Sequence, residues 1–299
     1  MRAASSLGIL ALSLGLASQG ALGSPAASTG PQLRSSAMLV MDEASSSVLL
    51  ARNAGKPAPI ASITKLMTAL VVLEGGQPLD ESIKITADDR EPGGGSRLAV
   101  GASLTRGELL HLALMSSENR AAHALGRNYP GGVPAVVAAM NRKAVELGMG
   151  HTRFVDPTGL SSRNVASPED LVRLVNAAGR NATIRDYSTD VAHSVRVGRQ
   201  AVQFRNTNTL VRDPSWDILV QKTGYIAEAG RCLVLKARVE GRMLVIVLLD
   251  SYGKYSRFAD ARRVRKWLEA QVAAHVMAPL QAPGSQAPAV PVVVAAAGS

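Results

Sequence analysis

The order of strand-like and helix-like stretches constrains this chain most. Ala37-Met38-Leu39-Val40-Met41-Asp42 and Ser47-Val48-Leu49-Leu50-Ala51-Arg52 read as two strands joined by the turn Glu43-Ala44-Ser45-Ser46, an antiparallel hairpin. A block of helices follows. One starts after Pro59 and runs to Leu73, and another spans Thr105–Met115, where Thr105 and Glu108 form a capping-box pattern. Arg120–Arg127 and Pro134–Leu147 continue the block, Gly148 ending the second, and Ser167-Pro168 starts the next with a cap and a first-turn proline. From about Val191 the pattern turns to strands, among them Val220–Tyr225, Arg231–Val239 and Met243–Asp250, the last two separated by the turn Glu240-Gly241-Arg242. Arg257–His275 is a closing helix. Two strands, helices, several strands and a helix predict an α+β fold, an antiparallel sheet covered by helices.

With aromatics at only 3% of 299 residues, Leu, Val, Ala and Met must build the core. The net charge of +10 suits nucleic acid, an anionic membrane or an acidic polymer. No zinc-finger spacing or RNA-reading aromatic signature is present, which disfavours nucleic acid. The single Cys232 excludes an intramolecular disulfide framework and, in its apolar run, reads as a buried, inert thiol. His111, His123, His151, His193 and His275 suggest no ligand cluster, and without His-Glu-x-x-His a zinc peptidase is disfavoured, so no metal or cofactor is expected. Residues 1–23 read as a secretory signal peptide: Met1-Arg2, the short apolar run Leu7–Leu16, and small residues at Ala21-Leu22-Gly23. Export without disulfides fits a bacterial periplasm, with no stable membrane anchor after cleavage. Residues 24–33 form a small-residue linker, 34–276 the folded domain, and 277–299 a tail expected to be disordered, rich in Pro and Ala and without charge from Pro279 on. Gly93-Gly94-Gly95 reads as a flexible loop, and no internal repeat is present.

One stretch carries reactive chemistry. Pro59 closes a loop, an apolar run follows, and Ser62 therefore falls at or near a helix start. Lys65, three residues on, shares its face, so the amine can reach the hydroxyl. A serine hydroxyl is a weak nucleophile until a base takes its proton. A lysine serves once burial or a nearby cation lowers its pKa. Unpaired N–H groups of a first helical turn can hold a developing oxyanion. Ser-x-x-Lys alone is unspecific, and a buried helix with a solvated lysine accounts for it as well. It recurs at Ser251-Tyr252-Gly253-Lys254.

Three motifs occur in order: Ser62-x-x-Lys65 at a helix start, Ser117-Glu118-Asn119 in a turn after a helix, and Lys222-Thr223-Gly224 in a strand. This resembles the penicillin-binding proteins and serine β-lactamases. Ser162-Arg163-Asn164 repeats the second motif but follows a loop, and Ser251-x-x-Lys254 fails on order and contains Gly253. Gly150–Leu160, Phe204–Asn208 and Asp250–Tyr255 extend the likeness over most of residues 34–270. In these segments the chain looks like the D-alanyl-D-alanine endopeptidases, the small single-domain penicillin-binding proteins of type seven in the S11 peptidase family.

The resemblance implies a penicillin-binding protein / serine β-lactamase-like fold, a five-stranded antiparallel sheet flanked by helices with a helical subdomain. It implies peptidoglycan peptide stems as substrate and β-lactams as covalent inhibitors. It makes Ser62 the nucleophile, Lys65 its base, and Ser117 the carrier of a proton to the leaving amine. Asn119 would hold the substrate amide, Lys222 and Thr223 the carboxylate beside the scissile bond, and Lys222 would keep Lys65 from holding its proton tightly. Gly224 would let substrate lie against the strand, and the N–H groups of Ser62 and Tyr225 would form an oxyanion hole. A β-lactamase would need a deacylating base, and the region Asp156–Asn164 has no glutamate, while Glu169 stands at a helix start. The same motifs are compatible with a D-alanine carboxypeptidase, or with a catalytically inactive protein that binds the cell wall.

Overall fold

The computed structural model describes residues 30–90, 95–198, 200–277 and 293–294. The signal-peptide reading and Gly93-Gly94 lie outside the described residues. In chain order the elements are β1 (Ser35–Asp42), β2 (Val48–Arg52), β3 (Ala58–Pro59), α1 (Thr64–Glu74), β4 (Ser82–Lys84) and β5 (Ser103–Thr105). Then come α2 (Arg106–Met115), α3 (Asn119–Arg127), α4 (Gly132–Glu146), β6 (Val165–Ala166), α5 (Pro168–Arg180) and α6 (Ala182–Thr189). The chain continues with β7 (Ala192–Val197), β8 (Gln200–Arg205), β9 (Asp217–Ile226), β10 (Gly230–Val239), β11 (Arg242–Ser251), α7 (Ser256–Met277) and β12 (Val293–Val294).

The main sheet has the order β12-β2-β1-β11-β10-β9. Its five long strands are antiparallel throughout, and β1 meets β11 in a register that pairs Leu39 with Val247 and Val40 with Ile246. The central strands are apolar on both faces. Ala37, Leu39, Val245, Val247 and Leu249 pack into one buried cluster; Met38, Val40, Leu244, Ile246 and Leu248 pack into another. A strand alternates its side chains between faces, so this sequence needs cover on both. The first cluster takes in α1 to α5, and the second takes in Phe258, Ala261, Val264 and Leu268 of α7.

The predicted helix ends are explained by their caps. Thr105 Oγ1 accepts from the amide of Glu108 (3.1 Å), and the Glu108 carboxylate accepts from the amide of Thr105 (2.8 Å). Ser167 Oγ accepts from the Asp170 amide at the start of α5. No pattern in the sequence announces α6, whose Thr, Ile and Tyr residues are weak helix formers. Burial of Ile184 and Ser188 and the Asn181 cap on the Ile184 amide outweigh that propensity. Val293 and Val294 pair in parallel with Leu50 and Ala51 of β2, and the rest of the segment from residue 278 on lies outside the described residues. Among the described residues no helix is long and apolar enough to cross a membrane.

Ser251, the serine of the second Ser-x-x-Lys, belongs to the brace between α7 and β1. Its Oγ lies 2.6 Å from Ser35 Oγ. The fully buried Asp260 of α7 accepts from the amide and hydroxyl of Ser35 (2.9 and 2.8 Å), the amide of Arg34 (2.9 Å) and Arg263 Nη1 (2.7 Å). Removing this carboxylate strands buried donors. Asp260→Ala is therefore expected to destabilise the fold by about 3 kcal/mol, read as a lower urea midpoint with an unchanged slope.

Candidate active site

β9 is an edge strand, with β10 on one side only, and its other edge faces the turn that carries Ser62. Ser62 does not lie inside α1. It occupies a 3₁₀ turn, Ala61–Ile63, that runs into Thr64. Ala61 has φ +47°, a left-handed conformation costly for a residue with a Cβ. Two glycines allow the close packing. An ideal Cβ on Gly224 would stand 2.8 Å from the Ile60 carbonyl oxygen and 3.2 Å from the Ser62 amide nitrogen. On Gly159 it would stand 2.0 Å from the Ala61 carbonyl oxygen. Only a bare α-carbon fits at either place.

Lys65, 1% exposed, points its Nζ at three oxygens: Ser62 Oγ (2.8 Å), Asn119 Oδ1 (2.8 Å) and the Thr158 carbonyl (2.7 Å). Two of these can only accept. A neutral amine has two N–H donors and one lone pair, so the two carbonyl oxygens take the donors and the lone pair falls to Ser62, whose hydroxyl can donate. The surroundings thus aim the lone pair of a neutral Lys65 at Ser62 Oγ.

The second half of the site lies across the cleft. Ser117, at φ +61°, holds its Oγ 2.8 Å from Lys222 Nζ, which also donates to the Thr223 carbonyl (2.8 Å). Lys222 is wholly buried. Burial holds its pKa well below the usual lysine range, and the charges of Lys65 and Arg257 push it the same way. Repulsion is reciprocal, so this pair of amines resists carrying two protons at once. Thr223 Oγ1 lies 2.6 Å from Thr207 Oγ1. Tyr225 follows at the end of β9 and is 56% exposed, and the Arg231 guanidinium lies 4.3 Å from its ring centroid.

The sequence-predicted residues therefore fall into one place: Ser62, Lys65 and Asn119 in one chain of hydrogen bonds, Ser117 and Lys222 in another, and Gly224 against the Ser62 turn. The structure adds Thr158 to them. Its contribution is a backbone carbonyl, which no side-chain motif announces. The sequence clue is Asp156, whose carboxylate accepts from the amides of Thr158, Gly159 and Ser161 and from Asn164 Nδ2, an Asx-type turn. Asn164 of the Ser162-x-Asn164 repeat thus serves this loop. Arg257 is a second residue that no motif marks. It is buried, its Nε makes no hydrogen bond, and burial together with Arg231 brings its pKa down to about 10. Its charge adds to the positive field at Lys222. Glu169 is exposed, and its amide bonds the Ala54 carbonyl.

Cys232 is buried, and its thiol is pushed up to about 12 by burial, which makes it inert as expected. The histidines do not all lie apart, contrary to expectation. His111 and His193 stack with centroids 4.1 Å apart, beside Asp190. They stand 82 residues apart in the chain, too far for spacing to reveal the contact.

The fold and the paired Ser–Lys and Ser–Lys hydrogen bonds define a serine acyl-transfer enzyme of the penicillin-binding class. A family model described as D-alanyl-D-alanine carboxypeptidase matches residues 24–253. The chain belongs to this family, the S11 serine-type D-alanyl-D-alanine peptidases. It is 47% identical over 242 residues to a D-alanyl-D-alanine endopeptidase of Pseudomonas aeruginosa, covering 80% of this chain and 78% of that one. It is 40% identical over 266 residues to a D-alanyl-D-alanine endopeptidase of Escherichia coli, covering 87% and 86%. Among solved structures it is similar to a Streptomyces DD-transpeptidase (TM-score 0.74, 26% identity, 81% of this chain and 99% of that one). It is also similar to the cefotaxime-bound penicillin-binding protein D2 of Listeria monocytogenes (TM-score 0.72, 26% identity, 80% and 98%). The implied five-stranded antiparallel sheet with helices is the observed one.

A methyl group on Gly224 would push β9 from the Ser62 amide. Gly224→Ala is expected to slow acylation by a fluorescent penicillin by about 10- to 100-fold while the circular dichroism spectrum is unchanged.

Proposed function

We propose that this protein is a serine DD-endopeptidase that hydrolyses D-alanyl cross-links of peptidoglycan in cell-wall remodelling, and that penicillins acylate it. The observation that carries this reading is the Lys65 amine, held by two acceptor carbonyls with its third contact on Ser62 Oγ. Ser62 Oγ bonds to the carbonyl carbon of a D-alanine while its proton passes to Lys65. The negative oxygen that forms meets the N–H groups of Ser62 and Tyr225. The C–N bond then breaks: Ser117, bonded to Lys222, gives its hydroxyl proton to the departing amine and receives in its place the proton that Lys65 took from Ser62. Water repeats the attack on the acyl-enzyme and restores Ser62. Asn119 holds the substrate amide, and substrate adds to the open edge of β9.

The group beside the scissile bond is a carboxylate both in a cross-link and in terminal D-alanyl-D-alanine. Lys222, Thr223 and the charge of Arg257 can receive it in either. What separates the two reactions is the bulk beyond that carbon, a whole peptide stem or a methyl group. The relatives at 47% and 40% identity are named endopeptidases, which supports the larger substrate. The net charge of +10 would assist encounter with an anionic wall polymer, an effect that salt screens. The apolar leader Leu7–Leu16 and the small residues at Ala21-Leu22-Gly23 support export and a periplasmic location.

Purified cross-linked muropeptide dimers are expected to be cut to monomers, more slowly at high salt, with little D-alanine released from pentapeptide monomers; mass spectrometry of the products checks this. Rapid D-alanine release with intact dimers would make the protein a carboxypeptidase. Ser62→Ala is expected to abolish covalent penicillin labelling without loss of melting temperature, and labelling that instead disappears in Ser251→Ala would reassign the nucleophile.

A further inference from the structure

His111 sits on α2, six residues before Ser117, and is 7% exposed. Its ring lies between Tyr187 (centroids 4.4 Å apart, planes 3° apart) and His193 (4.1 Å, 27°). Its Nε2 stands 3.1 Å from Asp190 Oδ2.

One ligand atom from each of His111, Asp190 and His193 lies within 4.8 Å of the others. We propose that these three residues bind one divalent transition-metal ion of the zinc class. Two imidazoles and a carboxylate form a borderline N/O donor set, suited to zinc; calcium and magnesium take oxygens. Zinc ligands at about 2.0–2.1 Å in a tetrahedron stand about 3.4 Å apart; His111 Nε2 and Asp190 Oδ2 already stand 3.1 Å apart, and the widest pair, within 4.8 Å, closes by up to about 1.4 Å. The buried His111 stays in place. The half-buried His193 and exposed Asp190 move, His193 tilting so that the lone pairs of the nearly parallel rings converge. Water completes the shell.

The ion would tie α2 to the residue after α6 and to the start of β7. Those elements border the cleft by short links. Asn206 Nδ2 donates to the carbonyl of Asp190 (2.7 Å), the Thr207 amide to Met115 at the end of α2 (3.1 Å), and Thr207 Oγ1 meets Thr223. The site is a brace for the cleft wall and takes no part in acyl transfer.

The test uses the full chain, stripped with a chelator and titrated with Zn²⁺ alone by equilibrium dialysis and metal analysis. One equivalent is expected to bind and to raise the melting temperature. His193→Ala and Asp190→Asn, at partly exposed positions, are each expected to weaken binding by at least about tenfold and to lose the thermal shift. His111→Ala is expected to do the same. Failure to bind one equivalent, retention of binding by both His193→Ala and Asp190→Asn, or an equal thermal shift with Mg²⁺ would each overturn the proposal.

Discussion

The rest of the site depends on one buried amine. Lys65 is surrounded by apolar neighbours of α1, and a lysine there is tolerated only because three oxygens meet its Nζ. Those oxygens come from three separate parts of the chain: the turn before α1, the start of α3, and the loop after α4. Each part has its own fastening. Ala61 is forced into a left-handed turn against Gly159, Ser117 into another before α3, and Asp156 folds the Thr158 loop around its carboxylate. The strained residues stand beside the reacting groups, where rigid neighbours can hold them.

The sheet supplies that rigidity. β1 and β11, from opposite ends of the sequence, pair in the centre and are buried on both faces. α7 is locked to β1 through Asp260 and Ser35. β9 therefore projects a stiff, half-paired edge, and Gly224 brings that edge to the Ser62 amide. That open edge is a place where another strand could add.

The site also opposes stability. Lys222 is buried without a carboxylate partner among its described contacts, and Lys65 and Arg257 add repulsion. The unfolded chain, where Lys222 has its ordinary pKa, binds its proton more tightly than the folded one. This group's cost to the fold is therefore greatest below the lowered folded value and is relieved as pH rises toward 10.5.

Much of the fold is local and was legible. Continuous apolar runs in β1, β10 and β11, the Thr105/Glu108 capping box and the Ser167-Pro168 start depend on neighbours within a few residues, so the sequence alone determined these elements and the α+β class. The motif side chains Ser62, Lys65, Ser117, Asn119 and Lys222 were equally visible, because their chemistry requires those residue types in that order. Tertiary structure decided what depends on long-range contact. α6 forms against its own weak propensities because Ile184 is buried. The Thr158 carbonyl reaches Lys65 across 93 residues of chain, and Arg257 joins the cleft from the closing helix. His111 and His193 meet only when β7 packs by α2. A backbone oxygen has no residue type, and two distant side chains have no spacing. Both therefore become readable only when burial has closed the chain around them.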